Sequence, residues 1–179
     1  MKKIEEQTSP KIYVGTYAKY NDASLFGKWI DLSEYDDYDS FVEVCKALHK
    51  DEADPEFMIQ DFEGFPKSLY YESGLPSEER FNLIKEISEL DEDEQEALTA
   101  FSDNQEYEDS DLIDAFRDSY RGKWDSKKDY AENLAEELGY FDILEKAGIP
   151  VAYFDAESFA RDLFIDGYWE HSGHVFSDN

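Results

Sequence analysis

The chain has 179 residues, with 45 Asp and Glu against 17 Lys and Arg, a formal net charge of −28 at pH 7. A surface of that sign repels nucleic acid and anionic lipid, so DNA, RNA and membranes are not expected as direct ligands. Yet 41% hydrophobic and 16% aromatic residues supply the apolar area that disordered acidic chains lack.

Cys45 is the one cysteine, which excludes an intramolecular disulfide and a thiolate metal cluster and fits a reducing compartment. The opening MKKIEEQTSP has no apolar stretch of the kind a signal peptide needs. No apolar run approaches the ~20 residues of a membrane span. A cytoplasmic protein is expected, with cations or basic protein surfaces as its partners.

Residues 1–10 read as a flexible lead-in. Lys11–Ala18 and Leu25–Leu32 are rich in β-branched and aromatic residues, with turn-prone Asn21, Asp22 and Ser24 between them, which predicts a hairpin. Phe41, Val44, Cys45 and Leu48 recur at helical spacing after a cap at Asp39 or Ser40, and Glu56–Phe62 predicts a third strand. His49 closes the helix as a positive charge complementing its C-terminus. Residues 11–63 are thus expected to form a ββαβ domain.

Residues 64–103 predict a helical middle domain. Ser77 caps one helix with the stripe Phe81, Ile84 and Ile87; Asp91 and Glu94 have capping-box spacing ahead of Ala97, Leu98 and Phe101. Both stripes are narrow and need a neighbour. Residues 104–179 predict a mixed α/β C-terminal domain. Leu112, Phe116 and Tyr120 are spaced i, i+4, i+8, Ser126 and Asp129 repeat the capping-box spacing, and Gly139 suits a helix C-terminus. Phe154 and Phe159 flank the cap Asp155 as a hydrophobic staple, and Val151–Phe154 is expected as a strand. The fold class is therefore α+β, an elongated chain of three small domains.

The acids are spread over all three segments, with net charges of −8, −8 and −12. Glu86 to Asp114 holds thirteen acids and not one Lys or Arg. A solvated helix face normally mixes signs through i,i+4 pairs, and this stretch forgoes them. An EF-hand register fails, because a loop starting at Asp91 has Glu96 at its sixth position and Ser102 at its twelfth, where Gly and Glu are required. His171 and His174 flank a glycine without a third ligand and read as surface or packing histidines. Cys45 lies on an apolar stripe and reads as core. No nucleophile elbow and no phosphate-cradling glycine loop is present. Neither a catalytic residue, a metal nor a cofactor is implied.

Diffuse negative charge on small domains can imitate a polyanion. B-DNA carries one charge per ~1.7 Å of axis, so 28 charges correspond to roughly 48 Å of duplex, and a symmetric dimer to about 95 Å. The candidate phosphate-mimicking acids are Asp31, Glu34, Asp36, Asp37, Asp61 and Glu63 in the first segment. Glu86, Glu89, Glu92, Asp93, Glu94, Glu96 and Asp103 follow in the second, and Glu106, Glu108, Asp109, Asp111, Asp114, Glu132, Glu136 and Glu137 in the third.

Several stretches, in order, resemble the ArdA antirestriction family. They are Ile12-Tyr13-Val14, Tyr20-Asn21, Gly27-Lys28-Trp29-Ile30-Asp31 and Ile59-Gln60-Asp61-Phe62-Glu63-Gly64. Further along come Asp129-Tyr130-Ala131-Glu132, Leu134-Ala135-Glu136-Glu137-Leu138-Gly139 and the run from Tyr153-Phe154-Asp155 to Leu163. The sequence departs from the family at Ala23-Ser24, where a glycine is usual, and matches it poorly over 65–104. The resemblance implies a DNA mimic encoded on a mobile element, a homodimer of three-domain subunits that occupies the DNA groove of type I restriction–modification enzymes. It also implies that Leu134–Asp155 overlaps the antirestriction motif. The expected protein is an inhibitor and not an enzyme. The alternatives are an acidic adaptor or chaperone for another basic DNA-binding protein, and a hydrolase using a carboxylate pair.

Overall fold

The run Lys11–Thr16 forms β1, the central strand of an antiparallel sheet in the computed structural model, which describes residues 9–178. Most of the expected lead-in, residues 1–10, lies outside the described residues. β2 (Lys28–Asp31) and β3 (Phe57–Glu63) flank β1, giving the order β2-β1-β3. Ile12 lies opposite Ile30 on one side and Phe62 on the other. Ile12 and Val14, two residues apart, are buried on one face, as period-2 alternation requires.

β1 stops two residues before its expected end. The Thr16 hydroxyl accepts the Lys19 amide at 3.4 Å and starts a helical turn, α1 (Tyr17–Asn21). The first segment is therefore β-α-β-α-β and not ββαβ, and the β1–β2 link is a helix-containing loop in place of a tight turn. α2 (Tyr38–Leu48) is capped by Asp37, which accepts the Ser40 amide at 2.8 Å. The expected caps Asp39 and Ser40 lie inside the helix. Phe41 and Cys45 are fully buried on its inner face. Burial pushes the Cys45 thiol up to about 12, so it packs as a neutral apolar group.

α3 (Glu78–Glu89) starts at the cap Ser77, and α4 (Glu92–Asn104) starts at the full Asp91–Glu94 capping box. The narrow stripe of α3 is covered by α2: Phe81 stacks on Phe41 with centroids 5.2 Å apart, and Tyr38 meets Phe81 edge-on at 5.8 Å. α3 ends without a basic residue. Instead the Gln95 side-chain amide donates to the carbonyls of Ile87 and Leu90 at 3.1 and 3.0 Å, meeting acceptors that a helix end leaves open.

The chain divides into two compact units between Leu112 and Ile113. The first joins the sheet, α2, α3 and α4; it also keeps residues 105–111, beyond the expected boundary at 103. The second begins within α5 (Leu112–Ser119). The expected i+8 position of that helix, Tyr120, opens β4 (Tyr120–Lys123), although its ring still stacks on Phe116 at 5.2 Å. β5 (Tyr168–His171) and β6 (His174–Ser177) form a hairpin whose turn residues Ser172 and Gly173 have φ of 53° and 85°. Paired positive φ values match the twist of a two-residue hairpin. The sheet order is β4-β6-β5.

Its helices are α6 (Lys127–Glu137), α7 (Tyr140–Lys146) and α8 (Ala156–Leu163). Ser126 and Asp155 cap α6 and α8, and Gly139, at φ 76°, links α6 to α7. The staple forms, with Phe154 and Phe159 centroids 5.5 Å apart. Val151–Tyr153 is a 3-10 turn and not a strand, closed by the Tyr153 amide onto the Pro150 carbonyl at 3.0 Å. Trp169 stacks on Phe176 at 4.2 Å and Tyr130 meets Phe164 and Tyr168, so these aromatics serve the fold of their own chain.

Candidate protein-interaction surface

A carboxylate left without a partner is too costly to bury, and the sequence supplies far fewer bases than acids. The structure follows that constraint. Of the 43 Asp and Glu among the described residues, Asp31, Glu52 and Asp109 are half-buried and all the others are exposed. Nineteen of the 21 candidate acids therefore face solvent.

Their placement is uneven. Asp31 ends β2, and Glu34, Asp36 and Asp37 occupy the turn and loop leading to α2, while Asp61 and Glu63 lie on β3. Glu86 and Glu89 are on the last turn of α3. Glu92, Asp93, Glu94, Glu96 and Asp103 are on α4, followed by Glu106, Glu108, Asp109 and Asp111 in the connecting segment. Asp114 is on α5, and Glu132, Glu136 and Glu137 are on α6. Seventeen of the 21 thus belong to the first unit.

The structure brings two subsets together. Asp103, Glu106, Glu108 and Asp109 line a groove with Lys67 and Arg80. Asp31, Glu34 and Glu63 line another with Lys11 and Lys28, because Lys11 on β1 is in register with Asp31 on one side and Glu63 on the other. Spacing along the chain could not reveal Lys11, Lys67 or Arg80, which lie far in sequence from the acids they meet, whereas Lys28 shares β2 with Asp31.

Some candidate acids also hold the fold. Partial burial works against the charge of Asp31, but hydrogen bonds from Ser33 and Ser9 outweigh it and hold its pKa below the usual carboxylate range. The Ser40 amide does the same for Asp37. Glu94 closes the capping box of α4. Asp109 forms a two-pronged bridge to Arg80, with N–O distances of 2.7 and 2.8 Å.

Several bases of the first unit are turned into fasteners. Lys85 donates to the Tyr35 carbonyl at 2.5 Å and lies over the Phe81 ring. Lys19 Nζ is 2.8 Å from Asp51, 3.1 Å from Glu52 and 3.1 Å from Nδ1 of His49. His49 is fully buried. Burial first, and then the Lys19 ammonium, lower its pKa, against the opposing pull of the Val14 carbonyl, Glu52 and Asp51. His49 is therefore a neutral packing group and not the positive complement expected at the end of α2.

The buried neutral imidazole makes stability depend on pH. The folded-state pKa of His49 is depressed, so its contribution to stability is present above the unfolded value of about 6.5 and is lost as pH falls. Below about pH 6.5 denaturant-unfolding stability is expected to drop more steeply for the wild type than for H49Q. Equal pH slopes for the two proteins would refute this role; carboxylates remote from His49 contribute equally to both and cancel in the difference.

Acids occupy both ends of α3 and α4: Glu78, Glu79, Glu92, Asp93 and Glu94 stand in first turns, where the helix dipole favours them. Neither α3 nor α4 has a base in its last turn, whereas Glu86, Glu89 and Asp103 sit there. An acid at a helix C-terminus is unfavourable by about 0.3–1 kcal/mol.

Among the described residues there is no group of three or more His, Cys, Asp or Glu placed to hold a metal, and no helix is long and apolar enough to cross a membrane. Fold and surface together define a small acidic α+β protein that offers exposed carboxylates on a scaffold of short helices and two sheets. A family model described as antirestriction protein (ArdA) matches residues 12–176, and the chain belongs to that family. The match includes residues 65–104, where resemblance by short motifs is weakest. No curated protein matches the chain.

Proposed function

We propose that this protein is a DNA-mimic inhibitor that occupies the DNA-binding groove of type I restriction–modification enzymes. The observation that carries the proposal is the exposure of 40 of the 43 described acids, in a chain whose family is antirestriction. Carboxylates stand in for phosphates and meet the Lys and Arg of the groove, while the mimic offers neither a base to methylate nor a bond to cleave. Counterions held at the basic groove and the acidic face are released on contact, so affinity falls with salt. A homodimer would double the length of the acidic array. Leu138, Ile143, Ile149, Tyr153 and Ile165, all exposed in the second unit, supply apolar area on which a second copy can seat.

The test is a titration of the protein into a type I restriction–modification enzyme bound to fluorescent duplex DNA. Release of DNA near stoichiometric protein, weakening as salt rises from 50 to 200 mM (the range over which about six to ten phosphate contacts lose 10³–10⁵ in affinity), is the expected result. Retention of the DNA at large excess of protein rejects the proposal.

A further inference from the structure

We propose that Arg80 is a positioning residue for the acidic face: its fork to Asp109 fixes the segment between α4 and α5 and so sets where Glu106, Glu108 and Asp111 stand before a cationic partner. The inference rests on the reading of that face as a DNA mimic.

Residues 105–111 connect two helices and carry four acids. One anchor is aromatic: Tyr107 stacks on Phe101 of α4 at 5.2 Å. The other is the bridge, which ties Asp109 to α3 across 29 positions of sequence. Nε and one terminal nitrogen of Arg80 each donate to a different oxygen of Asp109, at 2.7 and 2.8 Å. The guanidinium carbon also lies 5.0 Å from the centroid of the Tyr71 ring. Both partners are shielded, with side-chain exposures of 25% and 13%.

The bridge adds nothing to the net charge, because the base cancels the acid it holds. On a surface whose proposed role is its negative field, a base among acids is a loss unless it orders its neighbours. A planar fork fixes the direction of a carboxylate as well as its distance, which a lysine ammonium does not. Acids on a segment already held in place avoid the ordering cost that an untethered loop meets on binding.

The test uses R80M/D109N, which leaves the net charge unchanged, together with R80K. Amide hydrogen exchange in the free proteins reads the clamp, and inhibition of a type I restriction–modification enzyme reads its consequence. In R80M/D109N, exchange at 105–111 is expected to speed up while α3 and α4 remain protected, and inhibition is expected to weaken about tenfold with a shallower salt dependence. R80K, which keeps the charge without the fork, is expected to fall between the two. A double variant that inhibits as strongly as the wild type, or whose 105–111 amides exchange no faster, overturns the proposal. A wild-type protein that does not inhibit is a failure of the mimicry reading, and the exchange arm alone then decides whether Arg80 holds the segment.

Discussion

Replacing Glu89, Asp103, Glu106 and Glu108 together by their amides is expected to weaken inhibition strongly while leaving the protein at least as stable. None of the four caps a helix, and all are exposed. Glu89 and Asp103 lie in the last turns of α3 and α4, where neutralisation relieves an unfavourable dipole contact of about 0.3–1 kcal/mol each. If each acid replaces one phosphate contact, the slope of log affinity against log salt falls by at most about 0.9 per residue. Four residues then remove a slope of about 3–4, equivalent to about 10² in affinity between 50 and 200 mM salt. DNA is denser in charge than a protein surface, so that figure is an upper bound. Single substitutions should each give a small part of the loss. A collapse of inhibition at one acid, with the others silent, would indicate a discrete site in place of a distributed field. Unfolding curves recorded alongside keep stability and binding apart.

Phe81→Ala is expected to destabilise the first unit by about 3–5 kcal/mol, the range for deleting a buried aromatic ring. The ring is fully buried, stacked on Phe41, edge-on to Tyr38, and covered by the Lys85 ammonium at 5.3 Å. It is where α3 meets α2, so its loss opens the seam beneath α3, which with α4 carries seven of the 21 candidate acids. Whole-domain stabilities are only about 5–15 kcal/mol, and inhibition should therefore fall with the fold. Denaturant unfolding followed by circular dichroism reads the effect. A loss below about 0.5 kcal/mol, within the range of surface substitutions, would mean that the acidic helices do not depend on this seam.

Many features decided within one turn of chain were legible in the sequence, although the caps of α1 and α2 at Thr16 and Asp37 were not. The caps at Ser77, Asp91, Ser126 and Asp155 and the Phe154–Phe159 staple each join residues three to five positions apart, and all are present in the structure. Features decided by pairing were not. β4, β5 and β6 have four residues each, too few to show alternation, and they exist because they pair with one another. Thr16 reads as one more strand residue until its hydroxyl is seen to cap α1. His49 reads as a helix-end charge, but its full burial, and then the Lys19 ammonium beside it, lower its pKa and keep it neutral.

The candidate surface divides in the same way. That the acids would be exposed followed from their number, since so few bases cannot pair them indoors. Which acids would be spent on the fold did not follow. Asp109 is one acid among thirteen in the run from Glu86 to Asp114, and only the approach of Arg80 from α3 sets it apart. Lys11, between Asp31 and Glu63, is likewise placed by strand register and not by spacing.

The most direct measurement of the central claim is a competition experiment: the inhibition constant of the protein against a type I restriction–modification enzyme, determined over a range of duplex DNA concentrations. Carboxylates that take the place of phosphates predict an apparent constant that rises in proportion to DNA once DNA exceeds its own Kd. An apparent constant that does not change with DNA concentration would contradict the account, because inhibitor and DNA would then occupy the enzyme together.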